Sequence, residues 1–218
     1  MKKKIRIPSY TLGEEITNSI THGLGAIFSI VALVLMIIKA IKKGDTALCF
    51  VTLSIYGSFM FITYVISCIY HGLSPKLRGK AVLRVIDHCN VYLLVLGTII
   101  PVALLGIKGI YGWLLFSLAL MLNVIGIVFT AIDVDKYSKI SVFCHLLSGW
   151  SVLFFTRPLI TNASINCFWF ILFGGVSYSI GAFLYWLGKS KKYMHSIFHI
   201  FVLIGSVLQW LAIYLYLI

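Results

Sequence analysis

Residues 20–40 read ITHGLGAIFSIVALVLMIIKA, with His22 near one end, Lys39 near the other and no acid between them. A helix rises 1.5 Å per residue, so an apolar run of about 20 residues matches the ~30 Å hydrocarbon core of a bilayer. Six similar blocks follow, at residues 46–70, 82–105, 110–132, 140–160, 165–187 and 195–218. Short connectors with Lys, Gly, Pro or Asp separate them, among them Lys42-Lys43-Gly44-Asp45 and the stretch SPKLRGK at 74–80. Composition agrees with this reading. Of 218 residues 61% are hydrophobic and 11% charged, and the mean hydropathy is +1.03. A water-soluble domain of this size needs far more polar surface to cover its core. The runs therefore predict an all-α integral membrane protein, a seven-transmembrane helix bundle. It forms one domain over residues 1–218, with a short basic cytoplasmic segment at 1–18.

The net charge of +12 does not point to nucleic acid, and no nucleic-acid partner is expected. Basic residues stand in clusters between apolar blocks, the arrangement that orients helices and meets anionic headgroups. With the N-terminus inside, Lys2, Lys3, Lys4 and Arg6 share the cytoplasmic side with Lys76, Arg78, Lys80 and Arg84. Lys136, Lys139, Lys189, Lys191 and Lys192 bring that side to thirteen of the 18 basic residues. Lys39, Lys42, Lys43, Lys108 and Arg157 fall on the other side. The positive-inside rule then predicts a cytoplasmic N-terminus and an outside C-terminus. The five cysteines show no CxxC spacing and are read as small hydrophobes. No cleavable signal peptide is expected, because the first apolar run is long enough to stay as a span.

On this topology all six histidines (His22, His71, His88, His145, His195 and His199) fall toward the cytoplasmic ends of their spans. Glu14, Glu15 and Asp87 join them. Ionisable groups at membrane depth are costly and mark a bundle interior or a wet cavity. His195 and His199 are four apart and share a helix face, and Ser67 and His71 repeat that spacing. Three neutral imidazoles from two helices suit a divalent metal. Three protein ligands plus water is the open arrangement of catalytic zinc, whereas four closed ligands are structural. Zinc lowers the pKa of its water to about 7, and Asp87 is placed to hold or deprotonate that water. Ser67 is placed to hydrogen-bond a ligand or a substrate carbonyl. The HxxxH pair lacks the central Glu of HExxH, so spacing alone leaves a second reading open. In that reading the histidines are interfacial and bond backbone or headgroups.

Other residues are weighed the same way. Glu15, Asn18 and His22 repeat on one helix face and are read as a polar strip supporting the site, in preference to acids that merely complement a helix start. His88 points about 100° away from Asp87 and is expected to bond a neighbouring helix. His145 is read as structural or headgroup-facing, and Cys68 and Cys89 as neighbours of the site, not ligands. Ser177 and Gly181 suit close helix packing. Asp133 and Asp135 are read as a solvated turn with Lys136 and Lys139.

Four motifs in order carry a family resemblance. They are Glu15-Ile-Thr-Asn18-Ser-Ile-Thr21-His22-Gly23, Ser67-Cys-Ile-Tyr70-His71, Asp87-His88 with Tyr92 and Gly97-Thr98 up to Pro101, and His195-Ser-Ile-Phe-His199. Over essentially its whole length the chain resembles the hemolysin III family, the bacterial branch of the progestin and adipoQ receptor (PAQR) proteins. The resemblance implies seven helices, an inside N-terminus and a Zn2+ ion near the cytoplasmic face. It carries the zinc histidines to His71, His195 and His199, the water-holding aspartate to Asp87 and the motif serine to Ser67. Adiponectin-receptor relatives are associated with ceramidase-type hydrolysis of lipid amides, and the bacterial branch is named for red-cell lysis. Ile99 and Ile100 depart from the pattern before Pro101, and Cys68 stands where threonine is expected.

The leading functional expectation is a zinc-dependent hydrolase of a lipid amide or ester, with a membrane lipid as substrate. Two alternatives stand beside it. One is a membrane-damaging, pore-forming protein, which the nearly apolar outer halves of the helices support poorly. The other is a receptor-like lipid-homeostasis protein in which zinc is structural.

Overall fold

Each span begins or ends where local chemistry stops a helix. Thr11 caps α1 (Leu12–Lys43) with a reciprocal box, its side chain accepting from the Glu14 N–H while the Glu14 carboxylate accepts from the Thr11 N–H. Gly44 closes that helix at φ 69°, a left-handed turn that glycine adopts without strain. Thr46 caps α2 (Ala47–Gly72) by accepting from Cys49 N–H, and Ser164 caps α7 (Ile165–Leu187) by accepting from Cys167 N–H.

The computed structural model describes residues 7–188 and 190–218. Lys2, Lys3, Lys4, Arg6 and Lys189, which contribute to the orientation argument, lie outside the described residues. After α2 the chain continues as α3 (Arg78–Pro101), a π-helical turn at Val102–Ile107, and α4 (Gly109–Ile132). The fifth span is composite: α5 (Ser138–Trp150), a 3-10 turn at Ser151–Phe155 and α6 (Thr156–Asn162). Then follow α7 and α8 (Met194–Tyr216). Among the described residues there is no strand, and seven helical stretches are long and apolar enough to cross a membrane.

Three details differ from the hydropathy reading. α1 starts at Leu12, so residues 12–18, read as cytoplasmic segment, are the first two turns of that helix. The capping box explains why. The third span ends in a π turn directly after Pro101, which has no N–H to keep the helical ladder in register. The fifth span breaks before Pro158, which sits in the first turn of α6, where its missing N–H costs little.

Two close approaches bring neighbouring helices together. A Cβ on Gly25 of α1 would lie 2.5 Å from the Tyr64 ring of α2, and one on Gly126 of α4 would lie 2.1 Å from the Tyr92 ring of α3. Only glycine lets each fully buried tyrosine lie flat against the facing backbone. Leu24, Ile27, Val31, Trp113, Phe154, Phe173 and many other large apolar side chains stay exposed, as a lipid-facing surface requires. Ser177 of α7 donates to the Phe201 carbonyl of α8 at 2.7 Å, and a Cβ on Gly181 would meet Phe198 at 3.3 Å. Small residues thus seat α8 on α7.

Candidate metal centre

The starts of α1, α3 and α8 and the end of α2 meet at one end of the bundle, and each brings polar residues inward. His71, in the last turn of α2, has Nδ1 2.7 Å from Glu15 Oε2 of α1. A carboxylate there takes the imidazole N–H, which leaves Nε2 with its lone pair free. That Nε2 is buried and has no hydrogen-bond partner. Glu15 is itself held: its Oε1 accepts from Lys80 Nζ of α3 at 2.5 Å. Lys80 also donates to the Leu73 carbonyl at 2.8 Å and lies over the Tyr70 ring. Its side chain is 0% exposed, although its place in a basic connector suggests a solvated residue. Asn18, one turn beyond Glu15, has Nδ2 3.4 Å from His71 Nδ1 and accepts from Ser196 of α8 at 2.6 Å.

His195 and His199 come from the first turns of α8, with their Nε2 atoms 3.0 Å apart. Together with His71 they form a buried group whose ligand atoms all lie within 4.8 Å of one another. Ring nitrogens bound to one tetrahedral zinc at about 2.0–2.1 Å would lie about 3.3 Å apart, close to the spacing of the His195–His199 pair. The orphaned Nε2 of His71, the nitrogen-only donor set and the carboxylate behind His71 fit a transition metal of the zinc type. The group could hold a metal ion.

Asp87 on α3 has His71, Ser67 (one turn before His71) and Arg84 as its polar neighbours. Asp87 stands outside the three-histidine group. His22 stacks on His199 with ring centroids 3.7 Å apart, rests edge-on against Tyr64, and has neither nitrogen hydrogen-bonded. Glu14 accepts from the Tyr193 N–H at 2.7 Å, joining the start of α1 to that of α8. Tyr193 has φ 61°, a left-handed conformation that this bond helps to hold. Tyr10 stacks on His195 at 4.9 Å and covers the end of the site. Burial pushes the pKa of the Tyr10 hydroxyl up, so it stays neutral.

The family model described as Haemolysin-III related matches residues 10–210, a span that contains all of these residues from Tyr10 to His199. The chain belongs to this family. Hemolysin-3 of Bacillus cereus is 36% identical over 217 residues, covering 99% of this chain and 97% of that protein. The Hemolysin-3 homolog of Bacillus subtilis (strain 168) is 36% identical over 207 residues, covering 95% and 96%. No solved structure matches. With seven apolar spans and these bacterial relatives, the haemolysin III chain is a multi-pass protein of the bacterial cell membrane.

The remaining polar residues of this haemolysin III protein fall elsewhere. His88 and His145 line a cavity of about 130 Å³ among α3, α5, α7 and α8. Among the described residues His88 has a ring contact with Tyr185 and no hydrogen bond to a neighbouring helix, unlike the expectation. His145 donates from Nδ1 to the Ser141 carbonyl at 2.7 Å and stacks on Tyr92 at 3.6 Å. Cys68 contacts Ser19 and Cys89 the Ile127 carbonyl, and neither joins the histidine group. Asp135 is more than a solvated turn residue. Arg84 grips both of its oxygens at 2.7 and 3.2 Å and holds its carboxyl below the usual aspartate range. Lys80, Tyr10 and Ser196 were absent from the sequence-derived site, because each reaches it across helices and no local spacing marks it.

Proposed function

We propose that this haemolysin III-family protein is a zinc-dependent hydrolase of lipid amide or ester bonds. It would work at the end of the bundle that the positive-inside rule assigns to the cytoplasm. The observation that carries the reading is the buried group of His71, His195 and His199, with His71 turned by Glu15 so that an unpartnered Nε2 is left for a metal. Zinc held there would supply Lewis acidity and a water made acidic at neutral pH. The chain's own residues would do the rest. The Asp87 carboxylate orients the attacking water and takes its proton, and Ser67 holds Asp87 or donates to the substrate carbonyl. Glu15, fixed by Lys80, keeps the His71 ring in one tautomer. Tyr10 over His195 limits bulk water at the site. A membrane lipid is the natural substrate, since the outer surface between helices is apolar and open to the bilayer.

Elemental analysis tests the metal, on purified wild type beside a His195→Ala/His199→Ala double variant. About one zinc per chain, absent from the variant, is expected from an open three-ligand site. Careful preparation of wild type that yields no zinc would end the hydrolase reading. With zinc in place, Asp87→Asn should abolish cleavage of a lipid-amide panel and keep the metal. Retained stability dependence on zinc without any cleavage in wild type would mean a structural ion. The relatives' name raises a second reading, membrane damage. It predicts conductance in pure lipid vesicles that survives loss of His195 and His199.

A further inference from the structure

The rings around His195 differ in what carries them. Tyr185 and Phe198 lie 5.7 and 5.3 Å from it, and His71 and His199 lie 5.3 and 4.6 Å from it. All four belong to helices that span the membrane. Tyr10 is different. It precedes α1, stacks on His195 at 4.9 Å with 24° between the ring planes, and lies 5.9 Å from the ring of His71. Ser9, Thr11 and Leu12 beside it are exposed, whereas Tyr10 is half-buried. One ring of this segment therefore turns inward, onto two of the three histidines of the candidate metal group.

Little else holds that ring. Among the described residues no hydrogen bond joins residues 7–10 to a helix. The chain is fastened only from Thr11 onward. There Glu14 Oε2 accepts from the Thr11 N–H at 2.9 Å and from its hydroxyl at 2.8 Å, while Oε1 accepts from the Tyr193 N–H at 2.7 Å. One carboxylate thus ties the base of the Tyr10 segment to the residue two positions before His195. Thr11 is extended, at φ −69° and ψ 159°, so the chain leaves the helical path there and carries Tyr10 over the histidines. Moving Tyr185, Phe198 or another histidine requires a packed helix to shift. Lifting Tyr10 requires the loss of one ring stack, the cheapest local opening at this end of the bundle.

The site needs such an opening. His71 Nε2 and the Nδ1 atoms of His195 and His199 are buried without partners, and an ion cannot reach the group unless a covering side chain moves. We propose that Tyr10 is a gate for the metal ion: it swings off His195 to let an ion enter from the cytoplasm or leave to it, and closes over the loaded site. The proposal rests on the metal-binding reading of the three histidines and not on hydrolysis. A gate slows entry and exit alike, so it sets rates and leaves equilibrium affinity where it was. A ring that merely held His195 in place would set affinity instead.

The test follows zinc exchange in the full-length protein in nanodiscs. Uptake by the apo-protein from buffered zinc, release to excess EDTA and affinity by chelator competition are measured side by side. Tyr10→Ala should speed uptake and release about tenfold each, the factor of one aromatic stack, with affinity within about twofold of wild type. Tyr10→Phe keeps the ring and should exchange at the wild-type rate. Tyr10→Leu serves if Tyr10→Ala does not fold, and should speed both directions about threefold. A metal-free measurement stands beside these. Modification of His195 by diethyl pyrocarbonate in the apo-protein, read by mass spectrometry, should quicken about tenfold in Tyr10→Ala. Unchanged exchange or modification rates in the folded variants overturn the proposal. Faster release matched by an equal loss of affinity also overturns it, because that is the mark of a ring that only positions His195. Wild type that takes up no zinc overturns the gate together with the metal reading, whereas zinc uptake indifferent to Tyr10 overturns the gate alone.

Discussion

At the end of the bundle away from the histidines, polar side chains that reach inward find backbone carbonyls. Lys39 of α1 donates to the Tyr214 carbonyl, Asn162 to that of Ile107 at 2.5 Å, and Gln209 to that of Ile171 at 3.0 Å. Each bond ties one helix to another, and of these three side chains only Gln209 keeps a buried atom, Oε1, without a partner. At the histidine end the pattern reverses. Among the described residues six histidine nitrogens are buried with no hydrogen-bond partner: two on His22 and one each on His71, His145, His195 and His199. Each unfilled buried group costs about 1–3 kcal/mol, and the histidine end gathers six of them, against Gln209 Oε1 and Asp45 Oδ2 at the other. The contrast marks one end as a scaffold and the other as a place kept open for something to bind.

Breaking the open end should have the largest effect. His71→Ala is expected to take metal content from about one ion per chain to none, read by elemental analysis. A full complement in that variant would mean that the three histidines do not act together. Next comes the layer behind His71. Glu15→Gln should weaken metal binding about 10–100-fold, measured by competition with a chelator. Lys80→Met should do the same and also lower stability by about 3 kcal/mol, because it strands the Glu15 carboxylate without its buried cation.

The scaffold end should respond differently. Gln209→Leu or Lys39→Met is expected to cost about 1 kcal/mol in thermal unfolding, with metal affinity unchanged. A tenfold fall in metal affinity from either change would erase the distinction between the two ends. The smallest effect belongs to Asp135, at the mouth of the histidine end. Arg84 lowers its folded pKa below the ordinary ~3.9, so its contribution is present above that value and is lost as pH falls through the folded pKa. The Asp135 side chain is 43% exposed, so solvent screening keeps the contribution below about 1 kcal/mol. Asp135→Asn should remove that acid-side dependence and leave neutral-pH zinc content alone; an unaltered acid-unfolding profile would show the pair to be idle.

The features legible from the sequence were those set by local rules. Hydropathy over about 20 residues locates a span because the bilayer's thickness sets the length. Four-residue spacing puts His195 and His199, or Ser67 and His71, on one face because the helix repeats every 3.6 residues. Even the start of α1 was written in Thr11 and Glu14, a capping-box spacing that hydropathy overlooks. Tertiary structure alone decided the rest. Glu15 meets His71 across 56 positions and Lys80 across 65, and Ser196 meets Asn18 across 178. Those meetings depend on how helices cross and where glycines let them approach. The same packing separated His88 and His145 from the other histidines and gave them a cavity, although all six belong to one end of the chain's spans. Local periodicity determines which face of a helix a residue occupies; which faces meet is settled only when the whole bundle packs.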